Sequence, residues 1–441
     1  MKLKKSKFVY IYKANQNEVC FFNAVNLNLL SGDETTLEKY TEFQNGTELD
    51  FNDDMMMILY NKGFLIPLDD NEVDRVFKTK KIRYQKAMEL RKNRIGYLRI
   101  SLTEHCNLAC KYRFVNKIMN EKQHMKQDLF KDIMEWFISS NIDKRPLIQY
   151  FGGEPLLKMD LIKLGNEMLR QAKQNGEIND YGQEIVTNGI LLTDEIADYL
   201  AKNKFYVGFS VDGMEELNDI NRVYKDGRGS FKDVIKGINV YKKYFKNLSI
   251  LVTPNNENID HFDRIIPYLV EELGATEIAI NTPQPDANGW EVSGDKLAKA
   301  IQETWIYCNE HNVRYNTPAN NILFLINHKI PQAYSCMNLT YGQDENTWGI
   351  YINSTGLVSK CVVECDSRCT SDFYDFIKSD DIPTDFIEWH FKNPMHESCL
   401  KCPGFNVCGG PCTIEQILSN GKVNCDKCKF VKTMIPWVIK K

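Results

Sequence analysis

The sequence predicts an α/β chain, and three observations carry that expectation. Six strand-like runs alternate with helical patterns between Tyr97 and Asn281. A short α+β pattern precedes them, and a cysteine-dense block follows. The length of 441 residues points to two or three domains, at roughly 100–200 residues per domain.

Residues 1 to about 85 read as a small winged-helix α+β unit. Phe8–Lys13 and Val19–Ala24 are β-rich and separated by a polar break that suits a hairpin. Asn52 or Asp53 can cap a short helix through Met55, Leu59 and Tyr60, which Gly63 ends before the strand-like Phe64, Leu65 and Ile66. A stripe such as Met55, Ile58 and Leu59 is ordinarily core and speaks to fold alone. Lys78–Arg94 reads as a basic helical connector.

The alternating region has strand-like runs at Tyr97–Leu102, Leu147–Phe151, Glu184–Thr187, Tyr206–Val211, Leu248–Thr253 and Glu277–Asn281. Between them, Leu129, Phe130, Ile133, Trp136 and Phe137 recur at helical spacing, and Ser230 with Asp233 reads as a capping box. Six such units imply a parallel sheet, either doubly wound or a partial barrel, with ligands at the carboxyl ends of the strands.

Ten of the 14 cysteines fall between Cys336 and Cys428, with CxxC at Cys399/Cys402 and Cys425/Cys428. No continuous apolar stretch approaches the ~18 residues of a membrane span, and no secretion signal is visible. The expected compartment is therefore the reducing cytoplasm, where clustered thiols bind metal rather than form disulfides. Zinc and iron-sulfur clusters both use four-cysteine sites. The net charge of -4 offers no global attraction to nucleic acid or anionic membrane, so neither is expected as a partner.

After the first strand of the alternating region come Thr103, Glu104, His105, Cys106, Asn107, Leu108, Ala109, Cys110, Lys111, Tyr112, Arg113 and Phe114. This segment resembles the CxxxCxxC loop of the radical SAM superfamily in its CNLxCxYCF form, with Arg113 at the third ligand position. Gly152, Gly153 and Glu154 resemble the family's GGEP segment. Asn188 after the third strand, Ser210 and Asp212 at the fourth, and Arg222 resemble its other cofactor-holding strand ends. The resemblance implies a partial (β/α)6 barrel over residues 86–320. It also implies an S-adenosylmethionine site formed by Tyr112, Gly152, Gly153, Glu154, Asn188, Ser210, Asp212 and Arg222, and a 4Fe-4S cluster at Cys106 and Cys110.

The C-terminal spacing, Gly356 with Cys361 and then CxxCx5CxxxC from Cys399 to Cys412, resembles the SPASM domain, here residues 321–441. By that resemblance Cys336, Cys361 and Cys412 hold a first auxiliary 4Fe-4S cluster, which either is completed by Cys365 or Cys369 or keeps one iron open for a substrate. Cys399, Cys402 and Cys408 with Cys425 or Cys428 hold a second. Cys20 and Cys308 read as buried, unliganded thiols. Residues 1–85 resemble the leader-recognition unit of maturases of ribosomally made peptides, which add a peptide strand to a sheet edge.

The implied activity is radical modification of a precursor peptide, such as a thioether or carbon-carbon crosslink, fed by an electron donor such as flavodoxin or ferredoxin. An arginine offers iron no lone pair and stays protonated, so cluster binding and S-adenosylmethionine cleavage are expected to be impaired in this chain. The competing expectations are a pseudoenzyme partner of an active maturase, an anaerobic sulfatase-maturase-like enzyme, and a zinc-stabilised structural protein.

Overall fold

The computed structural model describes residues 1–15, 17–91, 95–112, 123–140, 145–281, 292–331, 348–359, 371–379, 397–410, 423 and 425–441. Its strands in chain order are β1 (Leu3–Lys5), β2 (Val9–Lys13), β3 (Val19–Asn23), β4 (Leu29–Gly32), β5 (Leu65–Pro67), β6 (Ile95–Thr103), β7 (Leu147–Gly152) and β8 (Gly182–Thr187). They continue with β9 (Tyr206–Ser210), β10 (Ser249–Val252), β11 (Glu277–Ile280), β12 (Arg314–Asn316), β13 (Trp348–Ile352), β14 (Leu357–Ser359) and β15 (Ser371–Asp372).

The six strands expected in the alternating region are β6 to β11. They lie side by side in chain order and all run parallel, as the expected partial (β/α)6 barrel requires. Their apolar runs face helices such as Gln127–Ser140, which buries Phe130, Ile133, Met134, Phe137 and Ile138 along one stripe. The sheet is larger than six strands. β12 adds parallel to β11, β13 adds parallel to β6, and β14 and β15 continue antiparallel beyond β13. The C-terminal block thus contributes strands to the same sheet, which the cysteine spacing could not indicate.

The N-terminal hairpin forms as β2 and β3, and a third strand, β4, extends it. β3 is buried along its whole length, Val19 to Asn23. Its two faces serve different cores, because strand side chains alternate. Val19 and Phe21 pack with Tyr40, Leu59 and Phe64 inside the unit, whereas Phe22 joins the main core of the molecule. Asp53 rather than Asn52 caps helix Asp54–Asn61, its carboxylate accepting the Met56 amide, and Gly63 follows with a positive φ of 77°. The connector helix begins earlier than the basic run suggested, at Glu72, and runs to Arg91. Its first-turn Glu72 accepts from Ser6 Oγ (2.6 Å) and the Lys7 amide (3.1 Å), tying the helix start to the chain after β1.

The capping box at Ser230 does not form. Ser230 Oγ donates instead to the Arg222 carbonyl at 2.7 Å, and Asp219 Oδ1 accepts the Ser230 and Phe231 amides at 2.9 and 2.8 Å. Asp233 turns away to Tyr224 and Lys236. A carboxylate eleven residues upstream, delivered by the chain's return, outcompetes the local hydroxyl because a charged acceptor makes the stronger bond.

Candidate functional site

The predicted site residues come together at the carboxyl ends of β6 to β9. The loop after β6 is fastened on two sides. The Gly153 and Glu154 amides donate to the carbonyls of Thr103 (2.7 Å) and His105 (2.9 Å), and the Ala109 and Lys111 amides donate to Val223 (2.7 Å) and Asn221 (3.0 Å). The approach of the two loops demands glycine. A Cβ at Gly153 would lie 1.7 Å from the His105 carbonyl oxygen, and Gly152, at φ +132°, would drive one to 2.3 Å from the Thr103 oxygen.

Asp212 is the hub of a buried network. Arg222 grips its carboxylate with two bonds, Nε to Oδ2 at 2.8 Å and Nη2 to Oδ1 at 3.0 Å, while the Thr253 amide donates to Oδ1 at 2.9 Å. The Tyr112 hydroxyl also donates to Oδ2, and the guanidinium sits 5.5 Å from the Tyr112 ring centroid. Burial opposes the charge on Arg222, but Asp212, with Tyr112 and Cys110, outweighs it and holds the guanidinium above its ordinary pKa. Burial, with Asp212 beside it, pushes the Tyr112 phenol well up, so the hydroxyl stays a donor. Ser210, half-buried, ends β9 beside this network.

Glu154 is buried, and its carboxylate accepts from Leu156 N (3.1 Å), Thr187 Oγ1 (2.7 Å) and Asn188 N (2.9 Å). The side chain thus joins the ends of β7 and β8. Asn188 Nδ2 reaches Asn107 Oδ1 at 2.7 Å and the Cys106 sulfur at 3.9 Å. Cys106 is half-buried and Cys110 buried, and the Leu108 amide points at the Cys106 sulfur from 3.4 Å. His105, the nearest imidazole to Cys106 in sequence, stacks on His124 with centroids 4.5 Å apart. Burial, then His105 and Lys158, lowers the His124 pKa. Arg113 lies outside the described residues.

Several members of the site were given no role by the sequence. Asn107, Thr187, Thr253 and Asn258 hold the predicted residues, Asn258 Nδ2 donating to the Asp212 carbonyl at 3.2 Å. Asn107 is the second position of the CNLxCxYCF form, a match that carried no role for it. Its Nδ2, like that of Asn221, is buried without a hydrogen-bond partner, so the pocket has polar donors to spare. The glycine cradle and these donors fit a polar ligand such as S-adenosylmethionine. The thiol set beside them fits a site-differentiated cluster less well, because the sequence offers two thiols and an arginine where three thiolates are needed.

A second group of thiols gathers where helix Cys425–Ile439 meets the segment Glu397–Cys408. Burial pushes the Cys428 thiol up to about 12, with Cys408, Cys402 and Cys399 adding to the rise, so the four sulfurs sense one another. Cys425 is exposed and turned to the Val423 carbonyl at 3.8 Å. Of the two candidates, Cys428 is the one that faces the group. The Gly404 amide points at the Cys402 sulfur from 3.4 Å, as amides do toward thiolate ligands, and a Cβ on Gly404 would stand 2.6 Å from Val431 and 3.5 Å from that sulfur. The donors fit a thiolate-bound metal in kind. As they stand, no three His, Cys, Asp or Glu side chains among the described residues are arranged to hold an ion.

Cys336, Cys361, Cys365, Cys369 and Cys412 lie outside the described residues. Cys20 and Cys308 are buried, Cys308 in the main core, where burial raises its thiol to about 12. No described helix is long and apolar enough to cross a membrane.

Residues 100–269 match the Radical SAM superfamily. An uncharacterized protein of Methanocaldococcus jannaschii is 30% identical over 43% of this chain and 63% of its own length. The radical SAM cyclopropyl synthase TigE of Paramaledivibacter caminithermalis is 24% identical over 81% of this chain and 78% of its own length. A cysteine-type anaerobic sulfatase-maturating enzyme of Clostridium perfringens is 26% identical over 70% and 85%. Among solved structures, native anSMEcpe with bound AdoMet superposes with a TM-score of 0.64 at 20% identity, covering 78% of this chain and 98% of that one. SuiB of Streptococcus suis bound to the precursor peptide SuiA gives 0.55 at 15% identity, covering 97% and 100%. At these identities the two structures are likenesses of fold.

Proposed function

From the radical SAM domain that this chain carries over residues 100–269, we propose that the protein descends from, and retains the binding apparatus of, radical maturases of ribosomally made peptides. The observation that carries this reading is the Asp212–Arg222–Tyr112 network, closed at the same strand ends as the Gly152–Glu154 cradle and Cys106. S-adenosylmethionine, bound with a reduced cluster, supplies one-electron hydrogen abstraction to such enzymes.

In this chain, Gly152 and Gly153 keep the backbone open to the cofactor, and Asn188 and Asn107 offer amide groups beside Cys106. Arg222, locked on Asp212, keeps a fixed positive charge below Tyr112. We assign residues 1–85 to leader recognition, 86–320 to the barrel and 321–441 to the auxiliary-cluster unit. Cys399, Cys402, Cys408 and Cys428 are assigned to one auxiliary centre, and Cys336, Cys361 and Cys412 to the other. The reading includes a cytoplasmic flavodoxin or ferredoxin as electron donor.

The TigE and sulfatase-maturating relatives support radical modification of a polypeptide as the reaction class, and the N-terminal α+β unit favours a leader-bearing precursor as substrate. Arg113 supports a second reading, a pseudoenzyme that binds peptide and auxiliary clusters beside an active maturase.

The test is co-expression with short peptides encoded near this gene, followed by mass spectrometry of the peptide, for the chain as it stands and for Arg113→Cys. A mass change with the Cys variant alone supports an impaired maturase. Peptide binding without modification by either form supports the pseudoenzyme, and absence of binding by both overturns the leader-recognition reading.

A further inference from the structure

The loop that carries Cys106 and Cys110 owes its position to a distant piece of chain. Residues 221–223 lie against residues 109–111 as a strap. The Val223 and Asn221 carbonyls accept the Ala109 and Lys111 amides at 2.7 and 3.0 Å, in the opposite order along the chain, as antiparallel strands do. The two bonds fix the backbone on either side of buried Cys110. Tyr112, the next residue after Lys111, then lies on Asp212 and Arg222.

The strap is itself held from behind. Ser230, fully buried, donates its hydroxyl to the Arg222 carbonyl at 2.7 Å, midway between the two carbonyls that hold the loop. Asp219 fixes Ser230 in turn, its Oδ1 accepting the Ser230 and Phe231 amides at 2.9 and 2.8 Å and Asn218 Nδ2 at 3.0 Å. Between the strap and Ser230 the chain doubles back, with Val223 bridged to Gly229 and the Tyr224 amide donating to the Arg228 carbonyl at 2.8 Å. Gly229 passes so close to Asp219 that a Cβ there would stand 2.1 Å from Oδ2. A continuous path therefore runs from one carboxylate through Ser230 and the strap to the cysteine loop. The strap also carries an unmet need. Asn221 is 8% exposed, and its side-chain nitrogen is buried with no partner among the described residues, a state that a polar ligand would relieve.

We propose that Asp219 and Ser230 are positioning residues of the cofactor pocket, holding through the strap the loop of Cys106 and Cys110, and Tyr112 on Asp212, in the arrangement a ligand meets. The step from strap to cofactor rests on the reading of this pocket as an S-adenosylmethionine site. A loop already held in its bound arrangement need not be ordered by the ligand, so a loosened strap weakens binding although neither side chain touches the ligand.

The experiment follows amide hydrogen exchange over residues 106–112 and equilibrium dialysis of S-adenosylmethionine, both on the full chain. Asp219→Ala removes the acceptor, and Gly229→Ala drives it aside. Each should speed exchange in the loop at least about fivefold and weaken S-adenosylmethionine binding about tenfold, the scale of one buried polar group left unpaired. Ser230→Ala, which frees only the Arg222 carbonyl, should act in the same direction and is the companion should the other two disturb the fold. Asp219→Asn keeps Oδ1 as an acceptor and should return both values to within about twofold of the unaltered chain, a rescue that tracks the acceptor and not the charge. Exchange in β10 and β11 should be unchanged throughout.

Unaltered loop exchange in both Asp219→Ala and Ser230→Ala would overturn the strap. Faster exchange with undiminished S-adenosylmethionine binding would overturn its part in positioning the cofactor alone. Absence of S-adenosylmethionine binding by the unaltered chain would overturn the cofactor reading, and the exchange rates would still decide the strap.

Discussion

At position 113 an arginine stands where the loop motif has its third thiolate. His105, beside Cys106, is stacked on His124. Arg113→Cys should therefore raise iron and sulfide bound per chain by about one cluster and bring S-adenosylmethionine cleavage up from near background, read as 5'-deoxyadenosine formed under reducing conditions. Equal yields from the two proteins would show that Arg113 is not the defect.

A second residue-scale consequence follows from the buried pair. Asp212→Ala strands the Arg222 charge in the interior, so the domain should lose about 3–5 kcal/mol of unfolding free energy in urea. The loss should exceed that of an exposed pair such as Lys202–Asp198, where the equivalent change costs about 0–1 kcal/mol.

At the scale of single elements, periodicity located strands and helices well, while their ends were decided by partners from elsewhere in the chain. Helix Phe231–Tyr241 shows why. Its sequence offers Ser230 and Asp233 as a local box, yet Asp219 caps it with two amide bonds. Asp219→Ala should accordingly cost about 1–2 kcal/mol by urea unfolding, and Asp233→Ala less than about 1 kcal/mol, because only the first removes the cap. The reverse ranking would restore the local capping reading.

The β3 strand makes the same point for burial. Val-Cys-Phe-Phe-Asn alternates no polar face, which marks a strand covered on both sides, but only the assembled molecule shows that its two covers are different cores.

At the scale of the whole molecule, the expected three-part division and the observed packing differ in character. One core cluster runs from Phe8 and Phe22 through the barrel to Phe430 and Val438. Removing residues 1–91 should therefore leave a parallel sheet detectable by circular dichroism but lower its unfolding midpoint. Phe8 and Phe22 each contribute about 1.5–3 kcal/mol of burial against the remainder. An unchanged midpoint would mean that the N-terminal unit is an appendage and not part of the core.

Much of the site was legible beforehand, because Cys106, Cys110, Gly152, Gly153, Asn188, Asp212 and Arg222 belong to short segments whose residue types are chemically unusual at strand ends. Thr187, Thr253 and Asn258 were not, since an amide or hydroxyl that holds a neighbour looks in sequence like any loop residue.

The amino-acid sequence by itself determined the six-strand parallel core, the strand ends at which chemistry gathers and the thiol missing at Arg113. Each of these depends on local periodicity or on the identity of a residue within a short motif. Only the tertiary structure decided that β13 extends the barrel sheet, that Cys428 rather than Cys425 faces the other thiols, and that Phe8 meets Phe405. Those outcomes depend on contacts between segments hundreds of residues apart, whose free energy exists only once the chain has closed those distances.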